Sequence, residues 1–280
     1  MTASQGSHAA HGRKHTAGAA GGGRQKSIFI SGGAAGIGKA TAQRMLRRGW
    51  IVGSYDIVPT EWAEEAADLP GTLVTGHLDV RDWDSWEAAV SDFTSRTGGT
   101  MDAFFNNAGV IVDGPLSEQT PDKIQWITDI NCVGVAYGAK ACHPYLKRTR
   151  GSVMVSMCSA SANFGQPDVS TYSASKFYVK GLTEAMALEW ARDKIRVNDI
   201  MPLWAKSKIS EVNARSVRTL GVRLVPDDVA EVAEKIFTTR NLYLKKKLHH
   251  TVSAPDTVLK VLADLSPDML KRYTTKLLVG

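Results

Sequence analysis

A short apolar run, Ser27-Ile28-Phe29-Ile30-Ser31, leads directly into a glycine-rich turn, Gly32-Gly33-Ala34-Ala35-Gly36-Ile37-Gly38, and no other stretch constrains the fold so tightly. The run has the composition of a strand buried on both faces. An amphipathic helix follows to about Arg48, with Gly49 as its stop, and Trp50 to Tyr55 forms a second strand ending at Asp56. Strand, glycine turn, helix, strand and acid within about 30 residues make a βαβ unit suited to a dinucleotide. Glycines let the backbone approach a pyrophosphate, while the helix N-terminus offers unpaired N–H groups and a positive dipole end. The spacing is G-x-x-x-G-x-G, so the turn is expected to be longer than one built on G-x-G-x-x-G.

Asp56 lies where a carboxylate accepts both hydroxyls of an adenosine ribose, and its charge repels a 2′-phosphate. Neither Ala35 nor Ile57 supplies a cation nearby. NAD is therefore the expected cofactor, ahead of NADP.

Alternation continues down the chain. Pro59 to Leu69 reads as a short helix, Thr72 to Leu78 as a strand ending in Asp79-Val80, and Asp82 to Thr97 as a helix with Trp86, Val90 and Phe93 along one side. Ala103-Phe104-Phe105 runs into Asn106-Asn107-Ala108-Gly109. Thr120-Pro121-Asp122 opens a helix that reaches about Lys147 and carries Asn131. Ser152 to Ser156 is a fifth strand. A helix from about Thr171 to Arg192 carries Tyr172 and Lys176, and Ile195 to Ile200 is a sixth strand stopped by Pro202. This order specifies an α/β fold: one doubly wound, Rossmann-like parallel sheet of about seven strands with helices on both faces. Asp56, Asp79, Asn107, Ser159 and Pro202 each follow a strand, so all are expected to line one crevice.

Composition narrows the classes. Of the net charge of +6, Arg13, Lys14, Arg24 and Lys26 supply four, which leaves +2 for everything after residue 26. The first 26 residues are rich in Gly, Ala, Ser and His without periodicity, and are expected to form a disordered basic tail. The basic balance is a tail property and does not indicate a nucleic-acid partner. His8, His11 and His15 on so loose a segment are not read as a metal site, and no metal is expected. No apolar run is long enough to span a bilayer, and three cysteines without ligand spacing favour a reduced, cytoplasmic protein.

Tyr172 and Lys176 stand four apart, one turn on a helix face. An ammonium near a phenol favours the phenolate, so the tyrosine pKa is expected to fall toward the working pH and make Tyr172 a general acid or base.

These motifs, in this order, resemble those of the classical short-chain dehydrogenase/reductase family. The resemblance runs from about Ser27 to Ser207. The turn Ser31 to Gly38 is similar to the family's T-G-x-x-x-G-x-G, with Ser31 for the threonine. It implies that Gly32, Ala35, Gly36, Ile37 and Gly38 contact the cofactor, that Asp79-Val80 meets adenine, and that Asn107, Ala108 and Gly109 lie along it. Asn131 falls at the family's catalytic-helix asparagine, and Tyr172 and Lys176 match Y-x-x-x-K. Ser159, 13 residues before Tyr172, matches the catalytic serine better than Ser156 or Ser161. The implied roles are substrate orientation for Ser159 and proton transfer for Tyr172. Lys176 would lower the tyrosine pKa and bond the nicotinamide ribose, and Asn131 would hold a relay water.

The chain departs from the pattern after the sixth strand. Pro202-Leu203-Trp204-Ala205-Lys206-Ser207 replaces the usual Pro-Gly start, so Leu203 stands for a glycine while Ser207 still offers a hydroxyl to the cofactor. Residues 204–225 fill the place of a substrate lid. Ile209, Val212, Val217 and Leu220 suit a mainly apolar alcohol or ketone, while Lys206, Lys208, Arg215, Arg218 and Arg223 are basic. Lys245 to Val252 reads as the last strand with a basic entry. Ser253-Ala254-Pro255-Asp256 and Ser266-Pro267-Asp268 read as two helix starts of an extension, 253–280, to the catalytic domain 27–252. A homo-oligomer is expected, with dimer and tetramer both open. The expected activity is interconversion of a secondary alcohol and a ketone with NAD(H). The alternatives are a non-catalytic NAD-binding regulator and an NADP(H)-dependent 3-oxoacyl-type reductase.

Overall fold

In a computed structural model, described for residues 24–206, 212, 214–265, 267, 273 and 276, seven parallel strands form one sheet in the order β3-β2-β1-β4-β5-β6-β7. The strands are β1 (Ser27–Ser31), β2 (Ile51–Asp56), β3 (Thr72–His77), β4 (Ala103–Asn106), β5 (Val153–Met157), β6 (Arg196–Ile200) and β7 (His249–His250). The order reverses between β1 and β4, and in open sheets of this kind the ligand crevice opens at that reversal, beyond the carboxyl ends of the strands.

Alternation along β1 explains both helical layers. Ile28 and Ile30 face a cluster with Met45 and Leu46 of α1 (Gly36–Arg47) and Ile236 and Phe237 of α7 (Pro226–Thr238). Phe29 points the other way. There it meets Trp86 and Phe93 of α2 (Trp83–Arg96), and the same layer holds Cys142 of α4 (Gly134–Lys147) and Met186 of α5 (Ser170–Glu189). Phe29 stacks on Tyr55 at 4.6 Å and meets Phe93 edge-on at 5.5 Å. A strand buried on both sides has no polar face, which is why β1 reads as a continuous apolar run.

Most expected elements form with small changes. Pro59 to Leu69 contains a 3-10 turn, Glu61–Ala66, and the helix after Thr120 is interrupted. Helix α3 (Pro121–Thr128) passes through a π turn, Asp129–Val133, into α4. The region read as the last strand is corrected: Leu242–Lys246 forms a helix, α8, and only His249 and His250 pair with β6. The Asn241 carboxamide caps α8, accepting from the N–H groups of Tyr243 and Leu244 at 2.8 and 3.4 Å. That cap turns the three lysines into a helix end, where their charge is favourable.

Helix α7 is not among the expectations above, although its signal is in the chain. Pro226 stands at its first turn, the Asp228 carboxylate accepts from the Val225 N–H at 2.8 Å, and Val229, Ala230, Ala233, Ile236 and Phe237 are buried at helical spacing. It lies along α1, where Arg44 donates to Asp227 at 2.8 Å and to Glu234 at 2.8 Å, and Arg48 also reaches Glu234.

Of the two expected terminal helices, the first forms as α9 (Ala254–Leu265) and packs against the turn Ala160–Ala162. Asp256 is buried at its start and accepts from the N–H groups of Val252 and Ser253 at 3.1 and 2.9 Å. The second start at Ser266 and Asp268 lies outside the described residues, as do residues 1–23 of the basic tail, Lys208, Ile209 and the expected cofactor contact Ser207. Among the described residues, no helix is long and apolar enough to cross a membrane, and no group of His, Cys, Asp and Glu is placed to hold a metal ion.

Candidate active site

The glycine turn is held from beneath by the segment after β4. The Ser31 hydroxyl accepts from the N–H groups of Asn107 and Ala108 at 3.1 and 3.3 Å. In return the Asn107 carboxamide donates to the carbonyls of Ser31 and Gly32 at 3.1 and 2.9 Å. This explains why serine serves where the resemblance has threonine: the hydroxyl does the work. Gly32 and Gly36 adopt φ of +71° and +54°, which favour glycine. At Gly38 the reason is space, because a Cβ would lie 2.0 Å from the Gly32 carbonyl oxygen.

Above Gly36 an added Cβ would meet nothing within 4 Å, and α1 starts with neither a side-chain cap nor an acid in its first turn. Its first N–H groups are left for an anion, and the open cradle fits the diphosphate of a dinucleotide. Asp56 closes the turn, accepting from the Ala34 N–H at 3.0 Å and the Val58 N–H at 3.3 Å. Asp79 is engaged by its neighbour: Arg81 donates to it through Nε at 2.9 Å, and this guanidinium holds the carboxyl below its usual range. Val80 is buried against Gly134.

Beyond β5 the backbone brings the proton-handling groups together. Ser159 is extended and caps the turn Ala160–Ala162; its hydroxyl accepts from the Ser161 N–H and donates to the Ser161 hydroxyl, both at 3.1 Å. Tyr172 and Lys176 project from the first turns of α5 into the same crevice, which Ile37, Asn107, Gly109 and Trp204 also line. Both are buried, at 7% and 4% exposure. Ser156, weighed as an alternative to Ser159, points into the interior from β5 and is not among the lining residues.

One expectation changes here. Burial raises the Tyr172 phenol to about 12, and the nearby Ser159 side chain offsets only part of that rise. A phenolate there would lose its hydration. The Lys176 ammonium, itself pushed down by burial, donates to the Met157 carbonyl at 2.9 Å and stands 5.5 Å from the Tyr172 ring centre. Its charge is therefore not the dominant influence on the phenol. The Asn131 side chain makes three protein contacts. It accepts from the Val110 N–H at 2.9 Å and donates to the Val110 carbonyl at 2.8 Å and the Ser175 hydroxyl at 3.0 Å. Gly109 beside it lets the chain pass close: a Cβ there would come within 3.3 Å of Asn131 Oδ1 and 3.6 Å of Lys176 Nζ.

The lid returns on itself through a bridge between Ala205 and Leu224. Val212, Val217 and Leu220 pack beside Val112, Ile127, Val169, Tyr172 and Trp204, so the lid supplies much of the apolar wall around the phenol. Within α6 (Arg215–Leu220), Arg215 pairs with Asp168 at 3.3 Å, which ties the lid to the segment after Ser159. Leu203 lines the crevice at the position where the resemblance has glycine. Trp204 lines it from the start of the lid, and Gln166 lines it as well with no motif or periodicity that would have marked it.

The family model described as short chain dehydrogenase matches residues 26–216, so the chain belongs to that family and is an oxidoreductase of alcohols and ketones that uses a nicotinamide dinucleotide. Among its relatives, the meso-2,3-butanediol dehydrogenase of Serratia marcescens is 32% identical over 220 residues, covering 74% of this chain and 85% of that protein. The 3-alpha-(or 20-beta)-hydroxysteroid dehydrogenase of Mycobacterium tuberculosis strain H37Rv is 32% identical over 209 residues, covering 74% and 75%. A 3-ketoacyl-(acyl-carrier-protein) reductase from Brucella melitensis, solved with NADH, superposes with a TM-score of 0.71 at 24% identity over 81% of this chain and 96% of that one, a likeness of fold.

Proposed function

We propose that this protein is an NAD(H)-dependent dehydrogenase/reductase that interconverts a secondary alcohol and its ketone, with Tyr172 exchanging the hydroxyl proton. One observation carries the reading: Ser159, Tyr172 and Lys176 converge in a buried crevice that also contains Asn107 and Gly109 of the segment bracing the glycine turn. Gly32, Ala35, Gly36, Ile37 and Gly38 would hold the diphosphate, Asp56 the adenosine ribose, and Asn107 to Gly109 and Lys176 the nicotinamide half. Asp79 and Val80 would flank the adenine. When bound, the nicotinamide supplies or accepts the hydride.

The chain's own residues position the substrate and move the proton. Ser159 donates to the substrate oxygen and fixes it beside the phenol. Because burial keeps Tyr172 protonated, its hydroxyl is ready to protonate the oxygen of a ketone as it becomes an alcohol. Lys176, 5.5 Å from that ring, stabilises the phenolate left behind. The apolar lid excludes water from the exchange. Asp56 supports NAD, since a 2′-phosphate would meet its charge. The relatives named for butanediol and hydroxysteroids support a secondary alcohol as substrate.

Exposed Phe177, Tyr178 and Leu188 on α5 support a homo-oligomer, and three unpaired cysteines support a reducing, cytoplasmic setting.

The test is a panel of ketones and secondary alcohols with NADH, NADPH and their oxidised forms, read at the nicotinamide absorbance band. Turnover is expected with NAD(H), and Tyr172→Phe should lose at least about 100-fold in kcat while binding NADH nearly as well. A preference for NADP(H) would overturn the role of Asp56, and a fully active Tyr172→Phe would remove the proton-transfer assignment.

A further inference from the structure

The peptide group between Gly33 and Ala34, inside the glycine turn, is held at both ends by side chains. Its carbonyl accepts from the indole Nε1–H of Trp62 at 3.2 Å, and its N–H donates to the Asp56 carboxylate at 3.0 Å. In a trans peptide these two groups point in opposite directions, so a single peptide dipole is clamped between a donor and an anion. Turning the peptide over would break both bonds and aim its carbonyl at the carboxylate. Gly33 has no side chain to set this orientation and no room for one, since a Cβ would lie 2.3 Å from Ser54 Oγ.

Trp62 is itself firmly placed. It belongs to the 3-10 turn Glu61–Ala66 after β2, is 2% exposed, and shares a buried cluster with Ala66 and with Met45 and Leu46 of α1. The Lys39 ammonium of α1 stands 5.9 Å from its ring centre and pairs with Glu65 of the same turn at 3.0 Å. The Thr60 hydroxyl, just ahead of that turn, lies 3.3 Å from the Ser54 hydroxyl beside Gly33. An indole offers one donor and no acceptor, and when buried it needs a partner for that donor. Here the partner is a carbonyl of the turn that cradles the cofactor.

Resting on the dinucleotide reading above, we infer that Trp62 is a positioning residue for the cofactor and acts through Asp56. The indole sets the peptide, and the peptide N–H fixes Oδ2 of the carboxylate, while Oδ1 accepts only the longer bond from Val58. A carboxylate so fixed keeps lone pairs for the two ribose hydroxyls. Without the indole the buried Gly33 carbonyl has lost its donor, the peptide is free to turn, and the carboxylate loses the bond that orients it. A 2′-phosphate gains nothing from this carboxylate, so Trp62 favours NADH over NADPH.

Fluorescence titrations with NADH and NADPH test this on the wild-type protein and on Trp62→Phe, which keeps an aromatic ring and removes the N–H. NADH affinity is expected to fall by about 5- to 20-fold, while NADPH affinity and kcat at saturating NADH each change by less than about twofold. In an Asp56→Ala background the same substitution should cost less than about twofold in NADH affinity, because the peptide has nothing left to hold. Equal losses for the two cofactors, or an equal cost with and without Asp56, would show that Trp62 merely supports the turn and would overturn the inference. So would an unchanged NADH affinity in Trp62→Phe. If that variant melts too low to titrate, 3-benzothienylalanine at position 62 replaces the N–H with sulfur at nearly constant shape, and the same outcomes decide. A wild-type protein that binds neither dinucleotide, or prefers NADPH, instead sinks the cofactor reading itself and this inference with it.

Discussion

The carboxamide of Asn131 clasps both backbone polar groups of Val110, at 2.9 Å from the N–H and 2.8 Å from the carbonyl. Through its third bond, to Ser175, it ties the segment after β4 to the helix bearing Tyr172 and Lys176. Asn131→Ala would leave a partly buried N–H and carbonyl unpaired, at a cost of about 1–3 kcal/mol. Urea unfolding should show a lower midpoint with an unchanged slope, and kcat/KM should fall as Gly109 loses its support. A variant within about 0.5 kcal/mol of wild type would show that the clasp contributes little.

Tyr172 sets the pH dependence of the proposed reaction. Its phenol is held up to about 12 by burial, so at neutral pH it is a donor and rarely a base. Alcohol oxidation needs the phenolate, whose fraction rises about tenfold per pH unit below the pKa. Oxidation kcat/KM is therefore expected to climb steadily from pH 7 to pH 10, while ketone reduction stays flat over the same range. A plateau of the oxidation rate beginning near pH 7 would show that the phenol titrates far lower.

Gly36 and Gly38 are constrained for different reasons, and their alanine variants should separate. Gly38→Ala places a Cβ 2.0 Å from the Gly32 carbonyl, and the turn must break. Gly36→Ala meets no neighbour and strains only the backbone, by about 1–2 kcal/mol. We expect Gly38→Ala to abolish NADH binding measured by fluorescence titration. Gly36→Ala should remain folded and bind more weakly. Equal affinities in the two variants would contradict the cradle described here.

His250 gives the sheet edge an acid sensitivity. Burial, with Lys247 beside it, lowers its imidazole to about 4, and its Nε2 lies 3.0 Å from the Lys247 carbonyl. Arg196 and His249 also face it and disfavour its charge. The unfolded chain takes up this proton near pH 6.5 and the fold does not until about 4, so stability falls as pH drops through that window. From pH 6.5 to 5 the loss should be about 1–2 kcal/mol, and His250→Gln should flatten the melting-temperature profile there. An unchanged profile would remove His250 from the account.

Much of the fold was legible because it is local. The β1 run, the glycine turn, the stop at Gly49, and Trp86, Val90 and Phe93 on one side of α2 all follow from neighbours within a few residues. Where a residue's state depends on a distant partner, pattern was insufficient. Lys245 to Lys247 form no strand because Asn241 caps a helix through them, and only His249 and His250 reach β6. Gln166 has no periodic signature at all, since its meaning lies in which crevice it borders.

The sequence by itself determined the βαβ frame, the family and the placing of Ser159, Tyr172 and Lys176 near one strand end, since periodicity and spacing record which face each element buries. The tertiary structure decided what those residues do there. Helix α5 puts Lys176 one turn from Tyr172 in any environment, but burial raises the phenol and the Met157 carbonyl takes the ammonium. Desolvation and hydrogen-bond choice depend on what packs around a group from elsewhere in the chain, and no local spacing contains that.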